Sequence, residues 1–249
     1  MVPYSSGVDP RPASPTPTAD RLARALAAGS TAGAGFVPEL AGWLSSSSRF
    51  RAFAEANEPK IRKKLRGAGD PDALRDVRLE LQVARLLLAD RRISLAWEPL
   101  GSGRTGPDFT VEIPGQRPTH LEVTRLQRDP TAAEPGVPWL PKLRQLPPGA
   151  PGAILVGVEG GTAKALDLAS SARTVRARAD ARDEAYFTTR GIAGSRGFHA
   201  AFLRLGALLA FCENASPDDR VTLWRNGSAR MAIPEPAARA CLAALRGGP

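Results

Sequence analysis

Asp108 and Glu122 are the residues whose type and spacing most invite chemistry. Asp108 lies in the run Pro107-Asp108-Phe109-Thr110-Val111-Glu112-Ile113, and Glu122 in Thr119-His120-Leu121-Glu122-Val123-Thr124-Arg125-Leu126. Between them stands Pro114-Gly115-Gln116-Arg117-Pro118, a turn-forming cluster. Two β-prone runs around such a turn predict a hairpin. Side chains alternate faces along a strand, so His120, Glu122 and Thr124 share one face, and Leu121, Val123 and Arg125 the other. The hairpin can then bring the Asp108 and Glu122 carboxylates together. One or two carboxylates, with water or phosphate oxygens, suffice to hold Mg²⁺. A divalent ion held there can generate hydroxide, relieve charge on a phosphoryl group and assist the leaving oxygen.

The elements that must position this pair are legible on both sides of it. Gly69-Asp70-Pro71-Asp72 reads as a helix start: Asp70 caps, Pro71 suits the first helical position and Asp72 favours the dipole. The helix is predicted to run to about Asp90, with Leu74, Val77, Leu81, Ala84 and Leu88 as its apolar stripe. Glu80 flanks that stripe, either half-solvated or turned toward a polar partner inside. Arg92 to Leu100 reads as a strand with Ile93, Leu95 and Trp97 on one face and Glu98 on the other. Gly101 to Gly106 is a loop without P-loop spacing. A polar loop, Arg128 to Pro138, follows the hairpin. Then comes a predicted short helix, Trp139 to Leu146, ended by Pro147-Pro148, which carries Lys142 and Gln145 on one face at i, i+3. Ala153 to Val158 is a compact apolar run of the kind buried on both faces of a sheet. A helix between Glu122 and this strand predicts a β-α-β crossover.

From Asp70 to Val158 the chain resembles the PD-(D/E)XK nuclease superfamily, with Pro107-Asp108 as the "PD" and Glu122-Val123-Thr124 as the "E-x-K", Thr124 standing where the family has lysine. The resemblance implies an α/β fold with a restriction-endonuclease-like core of helix, three-stranded meander, helix and strand, carrying additional N- and C-terminal helices. It also implies Mg²⁺ (or Mn²⁺) held by Asp108 and Glu122, aided by the Val123 carbonyl and by Glu80, the residue at the position of a helix glutamate that often assists the metal. An ammonium at position 124 would orient the attacking water and offset transition-state charge, whereas threonine can only hydrogen-bond. Loss of such an element costs about 10²–10³ in rate by analogy with an oxyanion hole. Lys142 is the predicted substitute. Arg125 is nearer in sequence but points off the site face.

The remaining segments frame this core. Residues 1–18, dominated by Pro, Ser and Thr, are expected to be a disordered tail. Residues 19–69 are expected to form an N-terminal helical extension: a helix over Ala19 to Ala28, a small-residue linker from Gly29 to Gly35, and helix from Phe36 to Arg66 interrupted at Ser45-Ser46-Ser47-Ser48. Within it Lys60, Arg62, Lys63, Lys64 and Arg66 form the densest basic run of the chain. They read either as a phosphate-contacting patch or as a solvated helix end whose cations favour the dipole. Residues 70–249 make up the expected α/β domain. Beyond Val158, a helix is predicted over Thr162 to Arg182, another through Phe198, Phe202, Leu205, Leu209 and Cys212, an edge strand over Val221 to Trp224, a turn at Asn226-Gly227 and a closing helix over Pro236 to Arg246.

Composition bounds the function. A hydrophobic fraction of 43% supports a packed core. A net charge of +9 and a pI near 10.5 favour polyanionic partners, or reflect an arginine-rich codon bias. Cys212 and Cys241 lack metal-ligand spacing and only two histidines exist, which excludes zinc sites built on Cys or on clustered His. No apolar core segment marks a signal peptide and the most apolar stretch, Ala200 to Cys212, is too short for a bilayer and contains Arg204, so a cytoplasmic protein without membrane association is expected. An aromatic content of 6% argues against broad base-stacking surfaces. The sequence therefore points to a Mg²⁺-dependent nuclease acting on nucleic acid, DNA before RNA. The alternatives are a catalytically weak or inactive binding module of the same fold, or a partner-binding protein whose carboxylates pair with Arg104 or Arg125.

Overall fold

The computed structural model describes residues 17–98, 106–126 and 137–247. The expected disordered tail up to residue 16, most of the Gly101–Gly106 loop and nearly all of the Arg128–Pro138 loop lie outside the described residues. The chain forms two compact units, Met1–Val77 and Arg78–Pro249.

The first unit is helical. It contains α1 (Pro17–Ala27), a 3-10 turn (Ala32–Phe36), α2 (Val37–Ser46), α3 (Ser48–Ala56), α4 (Glu58–Gly67) and the start of α5 (Pro71–Leu87). The serine run breaks the helix as expected: Ser47 is extended and its side chain accepts the Phe50 N–H at 3.1 Å. A second break falls at Asn57, because Pro59 suits the first turn of a new helix and not the interior of an old one. Buried Ser30 ties the end of α1 to α4, donating to the Leu65 carbonyl at 2.6 Å and accepting from Gly33 N–H at 2.9 Å. Leu26, Leu40, Leu44, Phe50, Ile61 and Leu65 fill the core around it.

The second unit is mixed α/β. After α5 come β1 (Ser94–Trp97), β2 (Phe109–Glu112), β3 (Thr119–Arg125), a 3-10 turn (Pro141–Gln145) and β4 (Gly152–Gly157). They are followed by a 3-10 turn (Ala163–Ala165), α6 (Leu168–Asp180), α7 (Glu184–Thr188), α8 (Gly194–Phe202), β5 (Leu205–Phe211), β6 (Val221–Arg225) and α9 (Glu235–Arg246). The six strands stand in one sheet in the order of the chain. β1, β2 and β3 form an antiparallel meander, β3, β4 and β5 run parallel, and β6 closes the far edge antiparallel to β5. Every residue of β4 and β5 is buried, as parallel strands covered on both faces must be.

Alternation sorts the two faces. Ile154, Val156, Leu208 and Ala210 look toward Trp139 and Leu143 of the segment around the 3-10 turn and toward α6, α7 and α8, where Phe187, Phe198 and Phe202 pack. The opposite residues look toward α5 and α9. A cavity of about 30 Å³ remains there, walled by Leu87, Val111, Leu121, Leu209, Ala238 and Leu245. On the same face Gly157 has no side chain because Leu79 takes its place: a Cβ would stand 2.5 Å from Leu79 Cδ2.

Two expectations need correction. The apolar run ending in Cys212 is not one helix: α8 stops at Phe202, and Leu205–Phe211 is the buried strand β5. A strand buried on both faces has no alternation, so helical spacing matches it by accident. The segment carrying Lys142 is a 3-10 turn over five residues, not an α-helix, with the proline pair immediately beyond it. Among the described residues no α-helix lies between β3 and β4.

Candidate active site

Asp108 and Glu122 are brought together by the register of the hairpin. Phe109 pairs with Leu121 and Thr110 with His120, so the next step of the ladder sets Asp108 across from Glu122. The connection turns through Pro114-Gly115, with Gly115 at φ 74° and Gln116 N–H donating to the Ile113 carbonyl at 2.9 Å. This is where a proline-glycine pair fits a type II turn. Asp108 is held from both neighbouring strands. Its carbonyl accepts Glu98 N–H at 2.7 Å and its Oδ2 accepts Val123 N–H at 2.8 Å. Glu98 makes its contact through the backbone, from a left-handed conformation with φ 45°. Val123 thus meets Asp108 through its amide, while its side chain is buried on the other face.

Glu122 is 1% exposed, on the face shared with Ile154. Lys142 reaches it across the sheet end and donates from Nζ to Oε1 at 2.8 Å. Gln145, on the same side of the 3-10 turn, completes the grip: with its amide nitrogen toward Glu122 it donates to both carboxylate oxygens, to Oε2 at 2.8 Å. Burial pushes the Glu122 carboxyl up to about 8, and the charges of Asp108 and then Glu80 add to the rise against the opposing Lys142 ammonium. The Asp108 and Glu80 charges and the Lys142 ammonium thus act on Glu122 in opposite senses, and a cation placed between Glu122 and Asp108 would favour the charged form of the carboxyl. Among the described residues, however, no group of three or more His, Cys, Asp or Glu side chains stands ready to hold a metal. The donor set fits a magnesium-like ion bound by two carboxylates plus outside oxygens, not a preformed cage.

The other sequence-predicted residues separate clearly. Glu80 sits half-buried on α5, close enough for its charge to reach Glu122. Thr124 lies half-buried on the Glu122 face, beside Val156. Arg125 points away as expected: its side chain is 6% exposed and its guanidinium donates to Glu159 at 2.8 Å. Arg104 lies outside the described residues. In the first unit, α4 buries Ile61 and Leu65 and exposes Lys63 and Arg66, with Lys60, Arg62 and Lys64 half-exposed and Arg62 paired to Glu58 at 3.3 Å.

Two residues not assigned to the site from sequence join it. Gln145 grips Glu122 directly; its i, i+3 spacing from Lys142 was the available signal. His120 neighbours Glu122 on the same face and shares a 3.0 Å hydrogen bond with Thr110 through Nδ1, and burial lowers its pKa. No family model, no curated protein and no solved structure matches the chain.

Proposed function

We propose that the Arg78–Pro249 unit is a PD-(D/E)XK-type nuclease domain that hydrolyses phosphodiester bonds of DNA, or of RNA, with Mg²⁺ or Mn²⁺. The observation that carries this reading is the buried Glu122 carboxyl, facing Asp108 across the hairpin and held by Lys142 at 2.8 Å. The succession of α5, an antiparallel three-stranded meander and a fourth strand parallel to the third supports the same fold assignment.

Asp108 and Glu122 would hold the ion, with the Val123 carbonyl and Glu80 as auxiliary donors. When bound, the ion supplies an activated water and charge relief for the phosphoryl oxygens. Lys142 takes the part that Thr124 cannot. Its ammonium, presented at the carboxylate from a neighbouring segment, would orient the attacking water and offset negative charge developing on the phosphoryl oxygens. Thr124 contributes a hydroxyl hydrogen bond on the same face. Gln145 helps hold the Glu122 carboxylate in place from the same turn.

The test is a pair of measurements on the wild type and on an Asp108→Asn, Glu122→Gln double variant. Calorimetric titration with Mn²⁺ is expected to show binding that the variant loses, and cleavage of DNA in Mg²⁺ or Mn²⁺ is expected to vanish with it. Unchanged cleavage in the variant refutes the assignment. Lys142→Met is expected to lower cleavage about 10²–10³-fold.

One observation favours a second reading, a nucleic-acid-binding module of the same fold without turnover: among the described residues no preformed metal cluster is present, and Lys142 already occupies Glu122. Salt-sensitive DNA binding that survives loss of both carboxylates, with no cleavage under either metal, would favour it.

A further inference from the structure

Outside the candidate site, the most distinctive surface of the second unit is its arginine content on the α6–α8 side. Arg144, Arg182, Arg190 and Arg196 are all exposed. The carboxylates nearby have other contacts in the fold. Asp183 pairs with Arg178 at 3.0 Å and caps α7 by accepting Tyr186 N–H at 3.2 Å. Glu184 accepts Ser195 N–H at 3.1 Å, and Asp180 faces His199 at 3.5 Å. Among the described residues, no carboxylate pairs with any of the four guanidinium groups.

Their adjacency can be followed step by step from the site. Arg144 belongs to the same 3-10 turn as Lys142. Its guanidinium lies over Gly191, where a Cβ would stand 3.2 Å from Nη1. Arg190 precedes Gly191 and stacks its guanidinium on the Tyr186 ring, 3.9 Å from the centroid, while donating to the Tyr186 carbonyl. Flanking α7, Arg182 and Arg196 line one open groove together with Asp180, Glu184, Ser195 and His199. Exposed guanidinium groups that no carboxylate pairs with match the charge and the oxygens of a phosphate backbone. Ala185, Thr188, Thr189 and Ala193, exposed positions between them, offer no large apolar side chain to insert into a bilayer.

We infer that Arg144, Arg190, Arg196 and Arg182 form a track that binds the phosphate backbone of duplex DNA leading away from Glu122. This rests on the nuclease reading only for its direction; the binding itself is separable. Each phosphate neutralised on B-DNA contributes about −0.9 to the slope of log affinity against log salt. Four contacts therefore account for a slope of about −3 to −4, roughly a hundredfold of affinity between about 50 and 200 mM salt.

The experiment measures anisotropy of a labelled DNA duplex against salt, in the absence of divalent metal. The proteins are full-length wild type, Arg144→Gln/Arg182→Gln/Arg196→Gln, the same three sites changed to Lys, Lys60→Gln/Lys63→Gln/Arg66→Gln, and Asp108→Asn/Glu122→Gln. Arg190 is left in place in the triple variant because it packs on Tyr186. The glutamine triple is expected to bind more weakly at low salt with a slope shallower by about 2–3, and the lysine triple to recover the slope. A glutamine triple that binds like wild type overturns the track, as does a loss confined to the α4 variant or a wild type that does not bind even at the lowest salt. Cleavage lost in Asp108→Asn/Glu122→Gln while the glutamine triple binds normally removes the track and leaves the site. Track-dependent binding without cleavage removes hydrolysis and leaves the track.

Discussion

Replacing Glu122 by Gln should remove the loss of stability that this group imposes as pH rises. In the folded chain the Glu122 carboxyl is raised from an ordinary 4.5 to about 8, first by burial and then by the Asp108 charge. The native state therefore holds this proton more tightly than the unfolded chain. For such an acid, native stability is highest below the unfolded pKa and falls as pH rises through the window from about 4.5 to 8. The slope approaches about 1.4 kcal/mol per pH unit within the window, so the accumulated loss is on the order of 3–5 kcal/mol. Glutamine keeps the shape of the neutral acid without the charge, and its amide oxygen can still accept from Lys142. Urea unfolding followed by circular dichroism should give matching stabilities for wild type and variant at about pH 5, and a variant more stable by on the order of 3–5 kcal/mol at about pH 9. Parallel profiles across that range would refute the premise that a buried carboxyl with a raised pKa sits at the centre of the site.

Three further outcomes are expected. Gly157→Ala should cost about 1–3 kcal/mol, because the new methyl meets Leu79 at 2.5 Å; combining it with Leu79→Ala should recover part of that cost in a double-mutant cycle read by urea unfolding. Asn226→Ala should cost about 2–3 kcal/mol in the same assay, since the buried Nδ2 donates to the Phe202 and Leu205 carbonyls at 2.9 and 2.8 Å and both would be left unpaired. In a Lys142→Met background, Thr124→Lys should restore a large share of the 10²–10³-fold cleavage loss, because it returns an ammonium to the Glu122 face; no gain would mean that Lys142 acts by something other than its charge.

What was legible in the sequence follows from how local the determining physics is. The hairpin carrying Asp108 and Glu122 could be read because a Pro-Gly turn and a two-residue period both act within a few positions. The α5 start could be read because Asp70 caps it, accepting Ala73 N–H at 2.8 Å. Lys142 could be nominated from its place after the hairpin, but its 2.8 Å bond to Glu122 depends on a tertiary approach that no spacing encodes. The Leu205–Phe211 strand was hidden because burial on both faces erases periodicity. The Asn226 contacts were hidden because a side chain that bonds carbonyls twenty and more residues away leaves no local trace.

Because the strands lie side by side in the order of synthesis, each arriving segment meets an open border of what has already formed. No later strand has to be threaded between two that are already zipped together. Asp108, Glu122, Lys142 and Gln145 all precede the end of β4, so the carboxylate pocket draws on the earlier half of the ribbon, while β5 and β6 widen it on the distant flank. Evolution could lengthen or remodel that flank without disturbing the register that sets Asp108 opposite Glu122.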